Sequence, residues 1–315
     1  MVLRRCALPL AGVAASALIA SSCAGSRAGL DSGLNKIVFS SDRALPPKAE
    51  ADDYDTRRLD LYLMDADGRH IRRLTDNFAT DVFPTVSRDG RRIAFTRDIR
   101  GFAQVFVMDT SGRHVRMLTR GHANSGLPAW SPDGRRIAFS TDRNAPDEGD
   151  EIYVMNADGS RQRSVTRNLP FSNDAWPSWA PDGKRLVFAR EGLADTAIYV
   201  VNVDRSGLRR LTRDKQALDT QPAWSPDGKQ IVYESDIFML PGQIFAMSPD
   251  GKHRRQLTDP TVGASSRPSW SSDGHRIVFM ASRDHHTDVW TMRADGTHQV
   301  QLTRDGGFDG FPAAG

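Results

Sequence analysis

The chain has 315 residues, and 39% of them are hydrophobic, which is enough for one large domain with a packed core. Its 42 basic and 39 acidic residues nearly balance, and no basic stretch with interleaved aromatic residues occurs, so the composition excludes a nucleic-acid-binding protein. The two cysteines, Cys6 and Cys23, both lie near the N-terminus, which excludes disulfides, thiolate nucleophiles and cysteine-ligated metals from the rest of the chain.

The N-terminal segment has the pattern of an export signal. Arg4 and Arg5 precede an apolar run, residues 6–20, that is too short to span a membrane as a helix. Small residues stand directly before Cys23, an arrangement that resembles the cleavage box of bacterial lipoproteins. This resemblance implies cleavage before Cys23 and acylation of its sulfur.

We therefore expect a lipoprotein-type signal peptide at 1–22 and a flexible tether at 23–35. Two or three acyl chains on Cys23, at about 0.8 kcal/mol per buried methylene, hold such a protein on a membrane almost permanently. The alternative is an ordinary secretory signal that is cleaved near Ala24, with Cys23 discarded.

Beyond this segment, the chain repeats a unit of about 45 residues six times. The most regular mark of the unit is a Leu-Thr or Val-Thr pair, whose threonines are Thr75, Thr119, Thr166, Thr212, Thr258 and Thr303. Internal repeats of this length with short strands indicate a propeller or a solenoid.

Each unit has the pattern of four short strands. The first reads Pro-x-Trp-Ser, as at 128–131, and an Asp-Gly turn such as Asp133-Gly134 follows it. Asp and Gly tolerate the positive φ that two-residue hairpin turns require. The second and third strands alternate apolar residues and each carry an aromatic ring, and the fourth ends in the Leu-Thr pair. Four antiparallel strands per unit, without a helical segment between units, predict a propeller blade.

The two ends of the repeated region complement each other. The first unit begins at Lys36 with a second strand and lacks its Pro-x-Trp-Ser strand, whereas residues 308–315 supply a first strand in register. We therefore predict an all-β fold over 36–315, a six-bladed β-propeller of four-stranded antiparallel blades that is closed by the C-terminal strand pairing into the first blade. The early stop at Gly315 predicts that this closing strand is short.

The repeats resemble the TolB-type WD-like β-propeller family. The resemblance rests on Pro-x-Trp-Ser-Pro-Asp-Gly at 128–134 and 222–228 and on the run Ile-Tyr-Val-Met-Asn-Ala-Asp-Gly at 152–159, and it covers 36–315. The family includes the propeller domain of periplasmic TolB, propellers of prolyl-oligopeptidase-like peptidases and oligogalacturonate-lyase-like enzymes. The chain has no room for the additional N-terminal α/β domain of TolB itself, so the resemblance is to the propeller alone.

Four aspartates stand three residues before the proline of a first strand: Asp81, Asp174, Asp219 and Asp309. Because the first strand of a propeller blade lines the central channel, we expect these carboxylates to ring one mouth of it. Oxygen ligands of this kind suit Ca²⁺ or another divalent cation, which makes the four residues candidate metal ligands. The alternative is that each aspartate accepts backbone hydrogen bonds within its own loop.

Aromatic residues are expected near the same mouth. Phe83, Trp176 and Phe311 directly precede their prolines, and His122 lies in a neighbouring loop. Such rings would stack on a sugar or hold a peptide; the alternative is burial beneath a loop.

No catalytic motif accompanies these candidates. The sequence has no Gly-x-Ser-x-Gly, no His-Glu-x-x-His and no phosphate-cradling glycine loop. We therefore expect a monomeric, non-enzymatic cell-envelope lipoprotein, outside the cytoplasm, that binds a protein, a peptide or a glycan and requires no cofactor. The alternatives are a metal-assisted enzyme on acidic polysaccharide, as the resemblance to oligogalacturonate lyases implies, and a sugar-sensing solute-binding lipoprotein.

Overall fold

The computed structural model describes residues 36–44, 58–144, 149–167, 172–193, 195–237, 240–283, 286–304 and 306–315. The predicted signal peptide, the acylation site at Cys23 and the tether lie outside these described residues.

The described residues form β-strands and one short 3₁₀ helix, Pro260–Val262. In chain order the strands are β1 (Lys36–Ser41), β2 (Asp60–Asp65), β3 (Arg72–Arg73), β4 (Asp81–Val86), β5 (Arg92–Ile99), β6 (Phe102–Asp109), β7 (Arg116–Met117), β8 (Ser125–Trp130), β9 (Arg136–Thr141), β10 (Glu151–Asn156), β11 (Arg163–Ser164), β12 (Asn173–Trp179), β13 (Arg185–Glu191), β14 (Thr196–Asn202), β15 (Arg209–Arg210), β16 (Ala217–Trp224), β17 (Ile231–Ile237), β18 (Gln243–Met247), β19 (Arg255–Gln256), β20 (Ala264–Trp270), β21 (Arg276–Arg283), β22 (His286–Arg293), β23 (Val300–Gln301) and β24 (Asp309–Ala314). Each repeat thus folds as the four-strand unit that its pattern predicts.

The strands form four four-stranded antiparallel sheets and one eight-stranded sheet. The four-stranded sheets have the orders β24-β1-β2-β3, β4-β5-β6-β7, β11-β10-β9-β8 and β20-β21-β22-β23. The eight-stranded sheet contains β12–β15 and β16–β19, and the two sets are joined by one parallel residue pair, Thr196 with Leu218. The prediction of four-stranded antiparallel blades is therefore confirmed for four sheets, whereas hydrogen bonding joins the strands of two repeats into the fifth.

The C-terminal strand pairs with the first strand, as the sequence predicts. β24 runs antiparallel to β1, with Ile37 opposite Ala314 and Ser41 opposite Asp309. β24 has six residues, as many as β4 and β8, so the prediction of a short closing strand is wrong. The inner strands β24, β4, β8, β12, β16 and β20 contact one another in this order, and β20 contacts β24 again. The sheets therefore enclose a central cavity in the manner of a propeller.

The core consists of apolar side chains from neighbouring sheets. In each repeat the aromatic residue of the second strand contacts that of the third, with ring centroids 5.7–6.5 Å apart: Phe39–Tyr62, Phe95–Phe106, Phe139–Tyr153, Phe188–Tyr199, Tyr233–Phe245 and Phe279–Trp290. Buried clusters then join consecutive repeats, as where Phe139 packs with Val105 and Trp130. One repeat alone cannot bury these faces, so the repeats stabilise one another.

The threonine of the Leu-Thr pair has the same role throughout. Its hydroxyl oxygen accepts a hydrogen bond from the backbone N–H of the third strand, as from Leu61 to Thr75 and from Ile152 to Thr166, both at 2.9 Å. The fourth strands are only two residues long, so a side chain rather than a carbonyl satisfies this buried donor.

The strands end at two faces of the ring. The turn face carries the tight turns that follow the first and third strands of each repeat, and the loop face carries the other connections, which vary in length. In the turn after β8, Gly134 has a φ of +65° and the Asp133 carboxylate accepts hydrogen bonds from the Ser131 hydroxyl and the Arg135 N–H. This conformation explains why Asp-Gly recurs there.

Candidate binding site

Each inner strand carries a bulge near the residue that precedes its proline. The strand register shifts at this point, as between Val82 and Thr85 of β4. The residues that precede the prolines share a φ of +52° to +56°: Phe83, Leu127, Trp176, Gln221, Arg267 and Phe311. Positive φ is uncommon for non-glycine residues, and a bulge redirects the side chain. All of these side chains line the central cavity.

The central cavity has a volume of about 310 Å³. Its wall follows the inner strands from the residues before the prolines to the serines at the turn face, and it includes Pro84, Pro128, Trp130 and Trp224. Cavities of this size hold small ligands or a few residues of an extended chain. The geometry is therefore that of a binding site on the ring axis.

An arginine and three aromatic rings meet in this cavity. The Arg267 guanidinium carbon lies 4.7 Å from the ring centroid of Phe83, 5.4 Å from that of Trp176 and 4.9 Å from that of Phe311. Phe83 and Phe311 also contact each other, with centroids 4.6 Å apart. The three faces stabilise the cation by cation–π attraction and hold it at the centre. The structure thus brings together the three aromatic residues predicted from the sequence.

Among the described residues, no carboxylate lies within ion-pair distance of the Arg267 guanidinium. Within the described part of the chain, no ion pair or side-chain hydrogen bond engages its guanidinium, and burial lowers its pKa to about 10. Glu234 stands nearby, and burial raises its pKa to about 7, while its buried Oε2 accepts no hydrogen bond from the described residues. A guanidinium in this state is a recognition group for an anion, above all for a carboxylate.

The hydroxyl groups of the cavity wall are largely engaged elsewhere. The serines at the ends of four inner strands donate to the aspartate of their own turn, at 2.5–2.7 Å: Ser87, Ser131, Ser225 and Ser271. The Ser178 hydroxyl accepts a hydrogen bond from the backbone N–H of Trp224, and the Gln221 side-chain carbonyl accepts one from the backbone N–H of Arg267. These serine hydroxyls and the Gln221 carbonyl are therefore committed to the fold.

The four aspartates have a different place from the predicted one. Each side chain is fully buried or nearly so, and none lines the cavity. Asp81 accepts two hydrogen bonds from Arg97 at 2.6 and 2.7 Å, Asp174 accepts two from Arg190, and Asp309 accepts one from Arg43. The prediction that they ring the channel mouth is wrong, because antiparallel pairing places strand ends opposite each other and brings in the arginines, as with Asp81 and Arg97.

Asp219 differs in its contacts. Its nearest cation, Arg254, lies 3.6 Å away, and burial raises the pKa of Asp219. The described residues contain no group of three His, Cys, Asp or Glu side chains that could hold a metal ion.

The arginine partners have a second role that the sequence analysis missed. The guanidinium of Arg43 lies 5.1 Å from the rings of both Phe39 and Tyr62, and corresponding arginines cover both rings of the pair in four other repeats: Arg97, Arg143, Arg190 and Arg254. In the last repeat, Arg283 lies over the ring of Trp290. Their separation from the second-strand aromatic residue varies along the chain, which hides the pattern in the sequence. These arginines and the aspartates together are structural.

His122 is also away from the cavity. Its exposed ring contacts Phe102 edge-on, with centroids 5.3 Å apart, and it does not line the wall. Arg267 is the residue that the sequence analysis missed. An alignment of the positions before the six prolines would have singled it out beside Phe83, Trp176 and Phe311.

The repeat signature itself identifies the family. The sequence profile described as TolB beta propeller domain matches residues 128–314. The chain belongs to the TolB beta propeller family. No curated protein matches it in sequence.

Solved structures agree with this TolB-type fold. TolB from Acinetobacter baumannii superposes with a TM-score of 0.73 at 21% identity, covering 89% of this chain and 66% of that one, so this chain spans about two thirds of its length. A putative TolB from Agrobacterium tumefaciens gives 0.66 at 22% identity, with 89% and 92% covered. Oligogalacturonate lyase from Vibrio parahaemolyticus gives 0.55 at 14% identity, with 80% and 73% covered. At such identities the likeness shows the fold alone.

Among the described residues of this TolB-type propeller, no helix is long and apolar enough to cross a membrane.

Proposed function

We propose that this TolB-type propeller is an exported, lipid-anchored, non-enzymatic binding module of the cell envelope. In this proposal its central cavity holds an extended peptide segment of a partner protein, and a carboxylate of that segment binds Arg267. The lipid anchor is Cys23, and residues 24–35 tether the propeller to it. Likeness to periplasmic TolB supports export.

The proposal includes a ring of six blades. The eight-stranded sheet divides naturally at its single parallel pair, Thr196 with Leu218, into two antiparallel sets of four strands. The inner strands of all repeats follow one another around the cavity, which supports six equivalent units.

The observation that carries the binding proposal is the position of Arg267. The guanidinium of Arg267 is partly buried and has no ion-pair partner in the described residues, which is costly to maintain, and an anionic ligand would relieve that cost. The three rings beside it reduce its contact with water, so a charge-assisted hydrogen bond there is stronger than one at the fully exposed surface.

The cavity wall favours a peptide over a sugar. A sugar presents many hydroxyls and needs many hydrogen-bonding partners, but most serines of the wall already donate to turn aspartates. The prolines and tryptophans between them suit the apolar side chains and flat peptide groups of an extended segment.

The test uses an array of short extended peptides, each present in a Glu form and a matching Gln form. We expect the propeller to retain Glu forms and to lose the Gln counterparts. Arg267→Gln should weaken retention by at least about ten-fold, the loss of one charge-assisted contact. Arg88→Gln is the matched control, because Arg88 lines the cavity but is exposed at the turn face.

Equal retention of Glu and Gln forms, or equal effects of the two arginine variants, would show that Arg267 does not bind the ligand. Retention of uronic-acid oligosaccharides in place of peptides, measured on a parallel glycan array, would replace the peptide proposal with a sugar-binding one.

A further inference from the structure

Positive charge is concentrated in the tight turns of the turn face. The tight turns of the turn face carry 21 Lys and Arg residues but only 12 Asp and no Glu, and one of these arginines, Arg254, directs its guanidinium away from the face to Asp219 and Ser235. These turns are the segments 65–72, 87–92, 109–116, 131–136, 156–163, 180–185, 202–209, 225–230, 248–255, 271–276 and 293–300. The remainder of 36–315 has the opposite balance, with 18 basic and 26 acidic residues. The small net charge of the whole chain therefore hides a strongly basic face.

Much of this positive charge is fully available to solvent. Arg91, Arg113, Arg135 and Lys184 are exposed, and within the described residues their side chains make no hydrogen bond or ion pair. Other arginines of this face donate to backbone carbonyls of the next repeat, as Arg163 does to Val203, and keep their charge at the surface. The basic residues recur in successive repeats, so they form a broad ring and not a stripe.

The chain enters the propeller on this same face. Lys36, the first residue of β1, is paired with Asp65, which begins the turn after β2, whereas Ser41 at the other end of β1 is paired with Asp60. The C-terminus lies there too, since the Gly315 N–H donates to the Lys36 carbonyl at 2.9 Å. A tether of the length of residues 24–35 spans roughly 20 Å as a flexible coil and about 40 Å at full extension.

We propose that the turn face binds the headgroups of anionic phospholipids. This rests on the lipid anchor of the proposed function, which would hold the turn face within a short tether of a bilayer. Each basic residue near an anionic surface adds to the attraction, so a ring of them orients the disc flat on the membrane. The loop face and the bulge residues around Arg267 then point away from the bilayer, where a partner protein reaches them.

Other anionic partners fit the surface less well. A nucleic-acid site combines a basic groove or stripe with stacking aromatic side chains, and the turns of this face carry no aromatic residue. A flat, evenly basic ring matches a flat surface of dispersed negative charges, which is what a bilayer with anionic lipid presents.

The test uses the mature chain from Ala24, which lacks both the acylation site and the apolar signal segment, so that neither contributes to binding. Vesicles of phosphatidylcholine alone are compared with vesicles that contain about one third phosphatidylglycerol, and bound protein is measured by co-sedimentation. We expect binding to the anionic vesicles only, and we expect it to disappear between about 0.05 and 0.5 M NaCl as the charges are screened.

Two quadruple variants separate the face from the overall charge. R91Q/R113Q/R135Q/K184Q removes charges from the turn face and should weaken partitioning at least about ten-fold. R120Q/R167Q/R213Q/K215Q removes three Arg and one Lys from exposed positions on the loop face and should leave partitioning within about two-fold of the parent.

Equal weakening by the two variants, binding to neutral vesicles, or no binding to anionic vesicles would each overturn the proposal. If the protein does not bind anionic vesicles but still retains the Glu peptides, the proposed function stands, because the peptide array does not depend on the turn face. Stronger binding to single-stranded DNA than to anionic vesicles would assign the face to a polyanion instead of a bilayer.

Discussion

Replacing Asp174 with alanine should destabilise the propeller far more than the same change in an exposed ion pair. Asp174 is fully buried and accepts hydrogen bonds from Nε and Nη2 of Arg190 at 2.6 and 2.7 Å, while only 8% of the Arg190 side chain is exposed. The variant leaves a buried guanidinium without its partner, which costs about 3–5 kcal/mol. For a domain of this size the melting temperature should fall by roughly 6–20 °C.

The assay is urea unfolding followed by circular dichroism, with the midpoint and slope compared between variants. Asp76→Ala is the matched control, because Asp76 pairs with Arg73 at 2.9 Å but is 76% exposed, and an exposed pair contributes about 0–1 kcal/mol. Adding Arg190→Met to Asp174→Ala should restore most of the lost stability, since it removes the uncompensated charge.

Two results would refute this reasoning. Equal midpoint shifts for Asp174→Ala and Asp76→Ala would mean that the buried pair does not stabilise the fold. A calcium-dependent rise in the stability of the parent protein, absent from Asp174→Ala, would show that the carboxylate binds a cation in preference to Arg190.

Four further predictions test the fold and the anchor. Gly134→Val should cost about 1–3 kcal/mol in thermal melts, because φ is +65° there and a Cβ would lie 2.9 Å from Arg92 Nη2; an unchanged melting temperature would contradict the turn assignment. Deleting 308–315 removes β24 and should lower thermal stability sharply, whereas an unaltered melt would refute the closure. The unfolding free energy should fall as pH rises from about 4.5 to about 7, because folded Glu234 keeps a proton that the unfolded chain releases, and Glu234→Gln should flatten this slope in urea titrations at several pH values. Cys23→Ser should abolish incorporation of labelled palmitate and release the protein from membranes. Incorporation of labelled palmitate into the Cys23→Ser variant would rule out Cys23 as the acylation site.

The strands were predictable from the sequence because their determinants are local. Alternating apolar residues, the Asp-Gly turns and the Leu-Thr pairs all act within one repeat, and their phase placed residues 308–315 beside β1. The joining of two repeats into one eight-stranded sheet was not predictable, because it depends on one bridge between Thr196 and Leu218 that leaves no mark in composition or period.

The site was predictable only in part, for a physical reason. The aromatic residues before the prolines line the cavity as expected, because they lie on inner strands and these strands form the cavity wall. The aspartates were misplaced because spacing along the chain does not report which side chain stands opposite in the next strand, and Arg97 and Arg190 stand there. Arg267 was missed because its role depends on three rings that converge from other repeats.

In the export that we propose, the pairing of β24 with β1 imposes an order on events. Arg43 and Asp309 are joined by a hydrogen bond although they are 266 residues apart in sequence. In a chain that is translocated from its N-terminus, β1 emerges before β24, and the edge of β1 that pairs with β24 stays unpaired until β24 follows. The ring therefore cannot close before β24 has been translocated, and until then an unpaired strand edge is accessible to proteases and other chains.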